Sequence, residues 1–189
     1  MIKIQVIIGS TRQNRFGEKP AKWIFNKLKE NKEVEAELID LRDWPLPFFD
    51  EPMSPMMSKG KYTNPLATKW ADKIGEADAY ILVTPEYNHA YSAVLKNALD
   101  YVYMQWNKKP VAFVAYGSMG GARAVEQLRG ATLALKMVPI YDAVHISAFW
   151  NFLDEKGNLK TESFEEAANT MIEQLLWCAK ALKTARDNK

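Results

Sequence analysis

The feature that most restricts what this chain can become is its opening order of strand, polar loop and helix. Ile2, Ile4, Val6, Ile7 and Ile8 form a short apolar run of β-branched residues that stops at Gly9. Ser10, Thr11, Arg12, Asn14 and Arg15 follow, and a helical pattern begins after Gly17. A nearly continuous apolar run of this length reads as a strand buried on both faces, the signature of a central strand in a parallel sheet. The loop after such a strand lies at its carboxyl end, where open α/β sheets take their ligands. Hydroxyls, backbone N–H groups and the next helix N-terminus then converge on one spot suited to a phosphate, and two guanidinium groups add charge-assisted hydrogen bonds. The loop matches neither the GxxxxGK loop ending in Ser or Thr nor the GxGxxG fingerprint. Taken alone, it is read equally well as an ordinary polar β-to-α turn.

The rest of the chain repeats the alternation. Helical periodicity is expected over 18–30, with Ala21, Ile24, Phe25 and Leu28 on one side, and a half-exposed strand over 34–41. A second helix is expected over 66–76, a buried strand over 79–84, a helix over 93–103, a strand over 110–116 and a helix over 122–137. A fifth strand over 138–144, an irregular aromatic segment over 145–153 and a long helix over 163–185 complete the chain. Residues 42–65 break the pattern with Trp44, Phe48, Phe49, Met53, Met56, Met57 and several prolines. A loop this long inside one domain is uncommon and usually functional. Its apolar content suggests an arm that covers a neighbouring subunit, overhangs a site or packs on its own domain.

Five strands alternating with five helices in a single domain spanning 1–189 imply an α/β doubly wound parallel sheet. Right-handed crossovers and the strand order 2-1-3-4-5 put the switch point between the first and third strands, so the loops after strands one, three and four converge. The second of these is Pro85-Glu86-Tyr87-Asn88-His89. Pro85 restricts the chain, and the amides of Glu86, Tyr87 and Asn88 are expected to form a donor array for a flat heterocycle, with Tyr87 able to stack on it. Asn88 is read equally as a cap for the next helix. The third loop, with Gly117, Ser118 and Gly121, lets a planar ligand approach closely, or is simply a tight turn.

Composition narrows the function classes. With 25 Lys and Arg against 23 Asp and Glu, a net charge of +2 gives no reason to expect a nucleic-acid surface. The one cysteine, Cys178, excludes an intramolecular disulfide and supplies no metal-ligand spacing; a buried packing thiol is expected. No apolar run approaches membrane-spanning length, and the first residues do not read as a secretory signal, so a cytoplasmic location is expected.

The motifs GSTRxxRxG after the first strand, PEYNxxxxxxLKNALDY after the third and YGSxGGxRA after the fourth resemble those of the NADPH-dependent FMN reductase family of flavodoxin-like proteins. The resemblance runs in order over residues 1–180. It implies a tightly held FMN, its phosphate contacted by Ser10, Arg12, Asn14 and Arg15 with backbone help from Phe16 and Gly17. Pro85, Glu86, Tyr87 and Asn88 would line the ring edge, with Gly117, Ser118 and Gly121 closing the other side. Many members carry Gly or Pro where this chain has Gln13 and Asn14.

It further implies an enzyme that draws electrons from NADPH or NADH and passes them through FMN to a quinone-like or other small-molecule acceptor. A homodimer or homotetramer is implied, with the helix carrying Leu95, Lys96, Asn97 and Asp100 and the loop 42–65 near the subunit contacts. No acid or base side chain is required and no metal is expected, because the cofactor carries the chemistry. The competing readings are a flavin-binding electron carrier without its own reductase activity, and a protein whose first loop holds another phosphorylated ligand.

Overall fold

A computed structural model describes residues 1–188. Its five strands, β1 (Ile2–Ile8), β2 (Val34–Asp40), β3 (Ala79–Pro85), β4 (Pro110–Gly117) and β5 (Val138–Ser147), form one sheet in the order β2-β1-β3-β4-β5. Every neighbouring pair is parallel. The helices are α1 (Glu18–Lys29), α2 (Pro65–Gly75), α3 (Ala93–Asp100), α4 (Ala122–Ala134) and α5 (Glu165–Asp187). This is the α/β architecture expected from the sequence.

The two-residue period of a strand decides which side chain meets which layer. Ile4, Val6 and Ile8 join Ile81, Val83, Val114, the α1 residues Ile24 and Leu28 and the α5 residues Met171 and Leu175 in one core. Ile7 joins Leu82, Phe113, the α2 residues Trp70 and Ile74, Leu95 and Leu99 of α3 and Leu128 of α4 in the other. Local signals agree with these layers: Asn64 caps α2 by accepting from the Leu66 amide at 2.8 Å, and Pro65 stands at its first position.

Several boundaries differ from the periodicity. α3 stops at Asp100 rather than continuing to residue 103, because the following aromatics leave the helical path to fill the core. Trp106 ends fully buried, 4.8 Å from the Tyr80 ring and donating to the Leu99 carbonyl. α4 ends at Ala134 rather than continuing to residue 137, because Lys136 turns into the left-handed region; Leu133 near its end is exposed. β5 runs to Ser147, so residues 145–147 are strand rather than irregular; Ile146 beside Tyr116 is fully buried. Cys178 is half-buried, and burial pushes its thiol up.

The loop 42–65 packs first on its own domain. Trp44 lies 5.0 Å from Trp70, and Phe49 meets Tyr101 edge-on at 5.4 Å. Asn97 of α3 fastens the segment, donating to the carbonyls of Leu46 and Pro47 and accepting from the Phe49 amide at 2.9 Å. Phe48, Met53, Met56 and Met57 stay exposed. Phe49→Ala is therefore expected to lower the unfolding free energy by about 1–3 kcal/mol, while Phe48→Ala, at 84% exposure, stays within about 0.5 kcal/mol, measured by urea denaturation.

Candidate functional site

Register brings the three loops together. Ile8 at the end of β1 pairs with Asp40 on one side and Val83 on the other, and Pro85 pairs with Tyr116. The strand ends open onto a crevice of about 270 Å³ lined by Arg12, Asn14, Arg15, Phe16, Pro85, Glu86, Tyr87, Tyr116, Gly117, Ser118 and Phe149. Most of the residues singled out in the three loops meet here. Ser10 lies beneath, its hydroxyl 3.2 Å from that of Tyr87. A methyl group on Gly17 would stand 2.6 Å from the Tyr116 hydroxyl, so close packing on Tyr116 requires glycine there. Asn88 and Gly121 do not line this crevice.

The first loop is held from below. Arg15 is buried, and its two terminal nitrogens donate to the Asp40 carboxylate, one of them at 2.7 Å, and to the Ser10 carbonyl. Its Nε is buried and finds no partner among the described residues. Burial alone would raise the Asp40 carboxyl, but hydrogen bonds from Arg15 and the Arg42 amide overcome it and hold it below the ordinary carboxylate range. Arg12 has no carboxylate partner among the described residues; its guanidinium lies 6.0 Å from the centre of the Tyr87 ring. Gly17 stands at the N-cap of α1 without a side-chain cap; within the first turn the Lys19 amide donates to the Phe16 carbonyl at 2.9 Å and Pro20 has no N–H, so the loop's side chains rather than the helix end carry the donors here. Asn14 takes a left-handed conformation (φ 52°), which asparagine tolerates.

The second loop departs from the expected donor array. The Glu86 amide donates to the Tyr116 carbonyl at 2.9 Å and the Tyr87 amide to Ala90 at 2.8 Å, so neither is free for a ligand. The tight pairing that positions the loop also consumes its donors. Asn88 does not cap α3 either: the Ser92 hydroxyl accepts from the Leu95 amide and itself donates to the Gly9 carbonyl. The Glu86 carboxylate receives the Arg123 side chain at 2.7 Å and the Arg123 amide at 3.1 Å, standing in for the missing cap of α4. Gly121 starts that helix at φ 72°, where a side chain would strike Ala115 at 2.5 Å; its function is to turn the chain.

Two wall residues escaped the sequence reading. Tyr116 and Phe149 form an aromatic floor with Phe16, at 5.0 and 5.7 Å from Tyr116 to Phe16 and Phe149 and 4.4 Å between the two phenylalanines. Tyr116 opens the YGSxGG motif, which was a usable signal; Phe149 sits in an aromatic stretch that carries none. Burial pushes the Tyr116 phenol far above its usual range, so it stays protonated. A second crevice of about 500 Å³ adjoins, sharing Arg12 and Tyr87 and otherwise lined by Ser10, Thr11, Leu46, Pro47, Phe48, the α3 cap Ser92 and the α3 residues Ala93, Val94 and Asn97.

Fold and strand-end crevice define a flavodoxin-like α/β protein. The sequence matches the family described as NADPH-dependent FMN reductase over residues 2–151, and the chain belongs to that family. An NAD(P)H-dependent FMN reductase of Schizosaccharomyces pombe is 43% identical over 135 residues, covering 71% of this chain and 68% of that protein. An FMN-dependent NADPH-azoreductase of Staphylococcus aureus is 30% identical over 178 residues, covering 90% and 92%. The flavoenzyme FerB, an NAD(P)H:(acceptor) oxidoreductase of Paracoccus denitrificans, shares the fold with a TM-score of 0.74 at 23% identity, covering 95% of this chain and 98% of that one. The family is one of oxidoreductases that use FMN with NAD(P)H as co-substrate. The Arg15 Nε and the Arg12 guanidinium, neither with a hydrogen-bond or carboxylate partner among the described residues, fit the phosphate of such a cofactor.

The Asp40 pair makes the loop acid-sensitive. A carboxyl held below its unfolded value adds stability above about pH 4 and loses it as pH falls through the lower folded value. Asp40→Asn is expected to flatten that part of the dependence of unfolding free energy on pH, measured by denaturation between about pH 2 and 5.

Proposed function

We propose that this chain is an FMN-dependent NAD(P)H oxidoreductase whose acceptor is a quinone-like or other small molecule. FMN, when bound, would supply the two-electron chemistry between nicotinamide and acceptor, while the protein binds, orients and shields it. Arg12 and the Nε of Arg15 are proposed to hold the phosphate at the start of α1, with Ser10 and Asn14 beside them. Arg15 has a double role, since its terminal nitrogens keep the loop fastened to Asp40. Pro85, Glu86 and Tyr87 would flank the ring on one side and Gly117 and Ser118 on the other, with Asn88 at the hairpin tip beyond them. Gly17 and Gly121 act by shaping the backbone under the site.

The observation that carries this reading is the meeting of the three loops at one crevice with two guanidinium groups at one end and aromatic rings on its floor. A quinone-like acceptor is supported by the adjoining crevice, whose walls are apolar at Leu46, Pro47, Phe48, Ala93 and Val94 and which shares Tyr87 with the first. Adjacent occupancy is what transfer from a flavin demands, because the reacting atoms must approach to about 3–3.5 Å. A homo-oligomer is supported by the exposed Phe48, Met53, Met56, Met57 and Met104 on and near the long loop.

Purified protein is expected to show a flavin spectrum that bleaches on anaerobic addition of NADPH or NADH and recovers with a quinone. Flavin that stays oxidised with both nucleotides would leave an electron carrier instead. Arg12→Ala is expected to weaken FMN binding by about 1.5–3 kcal/mol, the worth of a charge-assisted hydrogen bond, read by fluorescence titration. Ala93→Trp, which narrows only the adjoining crevice, should raise the quinone KM several-fold and leave FMN affinity in place.

A further inference from the structure

The loop between β3 and α3 closes as a two-residue hairpin. Tyr87 and Ala90 exchange backbone hydrogen bonds of 2.8 and 3.0 Å across the tip residues Asn88 and His89. Both tip residues are left-handed, with φ of 50° and 69°. Such a turn favours Asn followed by Gly; a histidine at the second position is strained relative to glycine. The hairpin's own sequence therefore supports its shape only in part, and the remainder comes from outside.

That support is the start of α4. Arg123 donates from Nε to the Glu86 carboxylate at 2.7 Å and from its amide to the other carboxylate oxygen at 3.1 Å. The same guanidinium reaches His89 Nε2 at 3.0 Å, and Gln127, one turn further on, donates to the His89 carbonyl at 2.8 Å. One side chain thus grips the residue before Tyr87 and the residue after Asn88. It is also the one cation within ion-pair distance of Glu86 among the described residues, and the Glu86 side chain is only 6% exposed where it lines the crevice. An uncompensated carboxylate at that position would oppose placing electrons on a neighbouring flavin.

We propose that Arg123 is a positioning residue for the flavin: by bridging Glu86 and His89 it holds the hairpin, and with it Tyr87 at the crevice, in place, and it neutralises Glu86 beside the ring. The inference rests on the flavin assignment above. It separates two effects that a purely structural role would merge, since geometry needs the two-ended grip and electrostatics needs only the charge. A lysine at position 123 supplies a charge as a point on a flexible stem and cannot reproduce the fork.

The test uses FMN-loaded protein and reads the FMN dissociation constant and the midpoint potential of the bound flavin. Arg123→Met is expected to raise the dissociation constant about tenfold, the effect of losing a charged hydrogen bond, and to make the potential more negative. Glu86→Gln added to Arg123→Met should return the potential to the parent value while affinity stays weak. Arg123→Lys should keep a parent-like potential with weakened affinity. If Arg123→Met does not fold, the lysine variant decides, and parent-like affinity in it overturns the proposal. An unchanged dissociation constant and potential in Arg123→Met, or a potential that Glu86→Gln fails to restore, overturns it as well. Failure of the parent protein to bind FMN overturns the flavin assignment instead, so the two failures are distinct.

Discussion

Two layers of helices bury both faces of a parallel sheet, and this double burial dictates where polar chemistry can go. With Ile4, Val6 and Ile8 committed to one core and Ile7 to the other, and with β3 and β4 buried likewise, the three central strands offer no wet face to a ligand; only the edge strands keep exposed side chains, such as Glu35 of β2 and Tyr141 of β5. Polar groups are left at the strand ends, and parallel strands with right-handed crossovers send alternate loops to the same end. The crevice is thus a consequence of packing before it is a consequence of any particular site residue.

Within that frame, one buried ion pair organises the first loop. Asp40 ends β2 opposite Ile8, which puts its carboxylate under the loop, and Arg15 folds back onto it. A buried charge needs both a partner and hydrogen bonds, and Arg15 obtains them from Asp40 and the Ser10 carbonyl while one nitrogen remains unspent. The same residue can fix the backbone and still present a donor. On the opposite side, Glu86 and Arg123 tie the second loop to α4, so both walls of the crevice are held by charged pairs reaching across elements.

Much of this architecture was legible in advance, and the reason is periodicity. β-branched runs ending in Gly9, Pro85 and Gly117 mark strands that stop at polar loops, and the alternation with amphipathic helices leaves few topologies. The loops themselves were legible as ligand-facing because strand ends in such a sheet share one edge. Boundaries were less readable where tertiary packing outbid local pattern. The aromatic residues after Asp100 carry helical spacing, yet Trp106 gains more by filling the space beside Tyr80 than by extending α3.

The sequence by itself determined the fold class, the family and the set of loops that meet, since these depend on hydrophobic period and on short motifs that survive as strings. Only the tertiary structure decided what each side chain does there. The amides of Glu86 and Tyr87 look available in the sequence and are spent on Tyr116 and Ala90 in the fold. Arg15 and Arg12 look alike in the string, but one is buried on Asp40 and the other lies by the Tyr87 ring with no carboxylate partner among the described residues. Phe149, far along the chain, becomes floor to Phe16. The physical reason is common to all three: a hydrogen bond, an ion pair or a ring contact is set by what lies a few ångströms away, and in a parallel sheet those neighbours come from distant stretches of chain.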